Sequence, residues 1–538
     1  MKNKIFLGCL LAFSLCATSC SDFLDEDPKG KLSAENYFTS QNDLDMAVTA
    51  LMRKVNDVSN NTNPWGASWM GDDLTTHPAS NKQAYAQFDR FVPVNDNKTV
   101  TAKWSSDYAV IKAANYLIMN VENTPVSDEE KKIALGQAHF WRAYWYFDLV
   151  RVFGALPLNL DNTISQETPL SSVKEVYDLI VSDLEYCVAN LPTKYSKTPR
   201  VWEGVATYIT KQAAMSTLAC VYLNMAGWPL KLGQDYYNKA ASMAKQVIDG
   251  CNSGTYEYEL LPEYKQVYSL SHNYNLETVV GVNKNRAFTW SQDNETGISN
   301  IFESQGGWGD GWGTYSFWKE FPEGARKDAT YMPKIMVLVG GYKGELHNFW
   351  DTDASGNYII PEAHPAFQIF CASGNGTTDF DYTYAAGVKR DHACTEQRIR
   401  HLRYSEVLLW YAEASTRATG SVNAQALDCM NQVRVRAGEK PLSAGDLSAA
   451  DFADLCVKEH GWEVAGNWMA CQTRRFDEQR MELFAKAWAQ RQQDNTVGVE
   501  VAPGVIMKET LAPSGSFSES AIYAPYPSTD VSLNPNLK

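Results

Sequence analysis

The chain has 538 residues, of which 44% are hydrophobic and 21% charged, and its formal net charge is −15. That is the balance of a folded globular protein, long enough for one large domain or several smaller ones. The acidic surplus argues against nucleic acid as a partner and against unaided adsorption to anionic membranes.

The N-terminus divides into the parts of a secretory signal at residues 1–19. Lys2 and Lys4 form a positive start, and Ile5 to Ala17 is an apolar run of 13 residues, well short of the roughly 20 that span a membrane. Ala17-Thr18-Ser19-Cys20 then matches a lipobox, which makes Cys20 the expected lipidation site and new N-terminus. Residues 20–32 follow as an acidic tether, with Asp22, Asp25, Glu26 and Asp27 close together. Removing Lys2 and Lys4 takes the net charge to −17.

From residue 33 to 250 helical periodicity dominates. Helices are expected over Asp43–Val58, Trp104–Val121, Asp128–Phe153, Ser172–Leu191, Val205–Ala226 and Asp235–Asp249. Ser127 with Glu130 has the spacing of a capping box, while Gly154 and Pro157 end the longest helix and Pro192 follows the next. Trp141, Tyr144, Trp145, Asp148 and Val152 fall on one stripe of that helix and read as core between helices. Trp104 and Tyr108 read as core too. Neighbouring helices with short turns predict a mostly α fold, a tetratricopeptide-like scaffold of helical pairs with no strict 34-residue repeat.

Residues 251–397 differ. Gly, Asn, Tyr and Trp become common and short strand-like runs such as Thr278–Val282 appear, so this stretch is expected as a loop-rich, partly β insertion. Helices return in 398–538, at Ile399–Arg417, Ala424–Ala437 and Asp477–Gln490. Eight cysteines remain beyond Cys20: Cys187, Cys220, Cys251, Cys371, Cys394, Cys429, Cys456 and Cys471. None forms a CxxC pair; most read as buried small residues, and one or two disulfides stay open without an assignable pairing.

Several segments in order resemble the SusD/RagB family of outer-membrane lipoproteins. Ile133 to Leu158, IALGQAHFWRAYWYFDLVRVFGALPL, is similar to the family's long RA-x-x-Y-F-x-L-V-x-x-F-G-x-x-P-L helix. Glu175 to Pro192 and Lys211 to Leu223 resemble the two helices after it. Ile399 to Gly438 resembles the C-terminal signature, and Tyr523 to Leu537, with Asn534-Pro535-Asn536, the closing segment. One stretch departs. The family pattern E-R-x-x-E-L-x-x-E-G-x-R-W-x-D-L-x-R stands here as DEQRMELFAKAWAQRQQ, from Asp477 to Gln493, with the second half changed, which bears on the packing of the C-terminal helix more than on the family resemblance.

The resemblance implies a surface-exposed, lipid-anchored binding protein at the outer membrane. The resemblance further implies capture of an oligosaccharide, or in some members a peptide, and a SusC-like TonB-dependent transporter on which the protein would sit as a lid. The family supplies no fixed ligand motif, so candidate residues come from chemistry. In the loop Asn60–Pro78, Trp65 and Trp69 offer flat faces for sugar rings, and Asp72 and Asp73 accept from hydroxyls. In Ser304–Trp318, glycines interleave with Trp308, Trp312 and Tyr315, which allows close backbone approach to a ligand. Both loops also fit a plain structural role, pinned by their own rings.

Asp351, Asp353, Ser355, Gly356 and Glu362 follow calcium-loop spacing. No helical period leads in and Pro361 blocks its continuation, so a polar β-turn and no cofactor are expected, with a calcium loop as the alternative. The rival class, a surface glycoside hydrolase or lyase, needs two opposed carboxylates, and no spacing singles out such a pair. G-x-S-x-G and H-E-x-x-H are absent, and the eight histidines are scattered, with His139 and His401 inside predicted helices. The expectation is a binder, not an enzyme.

Overall fold

The computed structural model describes residues 37–60, 62–161, 166–285, 294–338, 340–369 and 396–537. The signal at 1–19, Cys20, the tether at 20–32, Cys371, Cys394 and His392 lie outside them.

The first helix, α1 (Gln41–Val58), starts where the Ser40 hydroxyl accepts from the Asp43 amide, and turns Leu44, Val48, Leu51 and Val55 inward. Helix α2 runs from Lys98 to Asn120, beginning six residues before the periodicity suggests. The cause is Asn97, whose side chain accepts from the Thr99 and Val100 amides at 2.8 and 3.3 Å. Helix α3 (Asp128–Phe153) ends at Gly154, which holds φ +78°. Ser127 does cap it, but the other half of the expected box is missing. Glu130 instead pairs with Arg200 and accepts from Gln41. The complete box lies at Ser172 and Glu175, opening α4 (Val173–Asn190).

Helices α5 (Lys211–Ala226) and α6 (Gln234–Asn252) follow. The first of these starts later than the expected Val205, because Val205–Ala206 pairs with Val201–Trp202 and Thr210 then caps the helix. Each of α2 to α6 packs on the next. The array resumes after the insertion with α7 (Tyr404–Thr419), which packs on α6 and is covered by α8 (Ala424–Ala437) and α9 (Ala449–Val464). Helix α3 is buried almost all round, and the stripe from Trp141 to Val152 lies wholly in the core with Trp104.

Two corrections concern the C-terminal third. Ile399–Arg403 is a strand and not the start of a helix; it pairs antiparallel with Thr278–Val282, and all five of its residues are buried. Asp477–Gln490 divides into α10 (Arg474–Arg480) and α11 (Phe484–Thr496), broken at Glu482, which adopts φ +57°. Among the described cysteines, Cys187, Cys220, Cys251, Cys429, Cys456 and Cys471 are free thiols.

The insertion is fastened to the scaffold in two ways. Part of it joins the main core through Tyr264, Val280, Phe321 and Tyr331, while Ile298, Phe302, Trp312, Ile335 and Phe349 form a second cluster with Val501 and Met507. Beneath lies a buried ionic network. Arg326 of the insertion bonds Glu459 and Glu439 at 2.7 Å and Glu463 at 3.2 Å, and Arg403 bonds Glu463 at 2.7 Å and Glu277 at 2.9 Å. Removing one partner from such a set strands charge in a dry interior and costs about 3–5 kcal/mol.

Candidate functional site

The two aromatic loops meet. Leu74 pairs with Gly313 and Thr75 with Trp312 in a short antiparallel ladder. Asp310 is the hub beneath it: its carboxylate takes Lys82 at 2.5 Å and Thr62 at 2.9 Å, and its carbonyl accepts from the Trp69 indole at 2.9 Å. Thr314 completes the seam, its hydroxyl donating to the Asp72 carbonyl at 2.5 Å.

The rings singled out for stacking mostly face inward. Trp65, Trp69, Trp312 and Tyr315 are 3%, 0%, 2% and 1% exposed. Lys103 lies 4.8 Å from the Trp65 ring, and His401 stacks on it at 5.8 Å. Trp69 sits between Tyr85 and Trp468, with centroids at 4.6 and 5.5 Å. His364 packs against both Trp312 and Tyr315, at 4.9 and 4.4 Å, and the Tyr315 hydroxyl donates to the Ala363 carbonyl. These four rings therefore rivet the loops down, and in this conformation no ligand reaches their faces. Asp73 is likewise buried, accepting from the Gly466 amide at 3.0 Å; burial, aided by Asp72, pushes its carboxyl up to about 7.

Two of the predicted residues remain accessible. Trp308 is half-buried at the edge of the second cluster. Asp72 is half-buried too, gripped by Arg474 through Nε at 2.7 Å and Nη2 at 2.9 Å. Burial opposes ionisation of Asp72, but the guanidinium outweighs it and holds the carboxyl below its usual range. Glu478 lies against Asp72, and burial together with that neighbouring charge raises its carboxyl well above the ordinary value.

Asp72 opens on a cavity of about 350 Å³. Thr314 and Phe317, at the end of the second loop, form one side; Trp462 of α9, Glu478 of α10 and Arg491 of α11 form the others. Sequence reasoning missed this wall. Its residues are spread over three helices, and only their packing on the loop junction assembles them.

The calcium-like stretch is a turn. Thr352 bridges to Tyr358, and Asp353 accepts the amides of Ser355 and Asn357 at 2.8 and 2.9 Å. Glu362 is turned away, bonded to the amide and hydroxyl of Ser304. No group of three or more His, Cys, Asp or Glu that could hold a metal ion occurs among the described residues. His139 is paired with Asp183 and His401 with Ser59 and the Met469 carbonyl. Burial lowers His401 to about 4, leaving it neutral.

Comparison with known proteins agrees along the chain. A family model described as starch-binding associating with outer membrane matches residues 22–223, and the SusD family model matches 376–538. A SusD-like protein of Bacteroides ovatus is 26% identical over 583 residues, covering 100% of this chain and 97% of its own. A SusD-like protein of Formosa agariphila is 24% identical over 512 residues, covering 90% and 91%. Among solved structures, a SusD homolog from Bacteroides thetaiotaomicron superposes with a TM-score of 0.73 at 19% identity, covering 94% of this chain and 97% of its own. Another, solved with a xylogluco-oligosaccharide, gives 0.69 at 22%, covering 92% and 98%. The chain belongs to the SusD/RagB family and has its tetratricopeptide-like helical fold.

Proposed function

We propose that the protein is a lipid-anchored glycan binder of the outer cell surface, which captures an oligosaccharide and passes it to a SusC-like TonB-dependent transporter. One observation carries this reading: the two aromatic loops, locked together, open on a cavity with aromatic and hydrogen-bonding walls. Flat faces and fixed polar groups are what sugar recognition requires. The family relationship and a fold neighbour solved with a xylogluco-oligosaccharide support it. The anchor is Cys20, and no helix among the described residues is long and apolar enough to cross a membrane. One acyl chain holds only marginally, so the lipidated cysteine needs two or more.

Binding without cleavage is the expected chemistry. Calorimetry across a glycan array, with the recovered ligand examined by mass spectrometry, tests it. An intact oligosaccharide supports the reading, whereas shortened products or capture of peptides alone refute it. Cys20→Ala should release the protein from the membrane and impair uptake while affinity in solution persists. Loss of affinity in the released form would remove the anchor from the account.

A further inference from the structure

The cavity has a direction. Its rim carries exposed charged side chains, Glu320, Asp454, Lys458 and Lys486, while Glu478 and Arg491 at its inner wall are 1% and 4% exposed. Water-facing groups stand at the mouth and dry groups within, and the size of the space decides how much of a chain it takes. Its volume of about 350 Å³ falls at the lower edge of small-molecule sites, room for about one or two sugar rings.

Its hydrogen-bonding is unfinished. Arg474 spends Nε and Nη2 on Asp72, yet its Nη1 has no partner in the protein. Arg491 is tied to Asp89 and to the Leu74 carbonyl at 2.7 Å, yet its Nε is also unpartnered. Buried N–H groups left this way cost free energy until an acceptor meets them. In the same lining, Asp72 is 30% exposed and offers carboxylate oxygens, and the Glu478 Oε2 has no partner in the protein. A sugar hydroxyl both donates and accepts, so neighbouring hydroxyls satisfy both sets at once.

Charge selects further. Of the side chains around the cavity, six are acidic (Asp72, Glu320, Asp454, Glu478, Asp494 and Glu509) and four are basic (Lys458, Arg474, Lys486 and Arg491). No positive surplus awaits an anion, and the two buried guanidinium groups already have carboxylate partners. A uronic acid or sulfate ester would enter with its own charge unmatched. Trp462, half-buried, and Phe317 supply apolar walls for a ring.

We propose that this cavity is a blind pocket for the end of a glycan chain, holding about one or two neutral sugar residues between Trp462 and Phe317, with Arg474, Arg491 and the Asp72–Glu478 pair reading their hydroxyls. The proposal rests on the glycan-binding reading and deepens it: the protein recognises chain ends.

The experiment is calorimetry of the intact protein with neutral gluco-, xylo-, manno- and galacto-oligosaccharides, their uronic-acid and sulfated counterparts, and the parent polymers. Binding of a neutral oligosaccharide, and binding of its polymer in proportion to chain ends, are expected. Trp462→Ala removes a wall and Ser316→Trp fills the half-buried mouth; each should weaken binding about tenfold or more, the worth of one good stacking contact. Hydrogen exchange on the unaltered protein should show ligand-dependent protection at 454–462 and 474–491, which decides the matter even where a variant fails to fold. Unchanged affinity in both folded variants, or protection elsewhere, overturns the pocket while leaving a glycan binder. A strict requirement for anionic sugars overturns its neutrality. Failure of every glycan to bind the intact protein overturns the functional reading and the pocket with it.

Discussion

Trp69 tests the distinction between a ring that binds and a ring that builds. It is fully buried, packed between Tyr85 and Trp468, and its indole donates to the Asp310 carbonyl. A buried indole removes about 150–250 Å² from water, an upper bound of about 4–6 kcal/mol at 25 cal/mol per Å². Truncating Trp in a core costs about 3–5 kcal/mol, and the orphaned Asp310 carbonyl adds about 1 kcal/mol. Trp69→Ala should therefore lose about 4–6 kcal/mol of stability, measured by equilibrium urea unfolding. Trp69→Phe keeps much of the packing and loses the hydrogen bond, so about 1–2 kcal/mol is expected. Any loss of ligand binding should track the loss of folded protein. A Trp69→Ala variant that stays within about 1 kcal/mol of the parent yet no longer binds an oligosaccharide would place the ring at a surface and refute the burial argument.

Glu463→Ala should cost about 3–5 kcal/mol by the same assay, because Arg326, Arg403 and Arg436 all bond that buried carboxylate. His460 lies between Asp477 at 2.5 Å and Glu406 at 3.3 Å; burial opposes its charge, but the carboxylates prevail and raise it to about 9 from 6.5. A raised folded value stabilises fully below the unfolded one, so about 3 kcal/mol is present under pH 6.5 and disappears as pH climbs through 9. Urea midpoints that hold steady from pH 6.5 to 9.5 would contradict this. At Gly307 an added Cβ would sit 2.1 Å from the Ile301 carbonyl oxygen, so Gly307→Ala should displace the second loop and cost about 1–3 kcal/mol, with Trp308 fluorescence altered.

The scaffold was legible because its signals are local. Apolar periodicity places α3 from Asp128 to Phe153 and α8 from Ala424 to Ala437 with the boundaries that the structure has. Errors fall where tertiary partners decide. Ile399–Arg403 is all buried, a pattern that reads alike in a strand and an interior helix until Thr278–Val282 is brought beside it. Glu130 had the right spacing for a capping box but found Arg200, distant in sequence, a stronger partner. The loops were legible as a pair of interest and not as to use. Trp in a Gly-rich loop signals either a platform or a rivet, and only the packing of Tyr85, His364 and Trp468 tells them apart.

That packing bears on binding. Ordering a loop at the moment of capture draws on the affinity gained, whereas loops already fixed leave the contact energy available. Four buried rings, the Leu74–Gly313 ladder and the Asp310 hub fix both loops before any ligand arrives. The scaffold that holds them follows the family pattern, but part of the cavity wall does not. Lys486, Ala487 and Arg491 line the cavity and lie in the second half of Asp477–Gln493, the part that departs from the pattern, while Glu478 and Leu483 keep it. A cavity lined differently from the family pattern presents different groups to whatever enters it. Swapping in a relative's residues along Asp477–Gln493 should therefore change which oligosaccharide binds while the helical fold persists. A swap that alters stability alone, with ligand preference unmoved, would return the segment to a purely structural role.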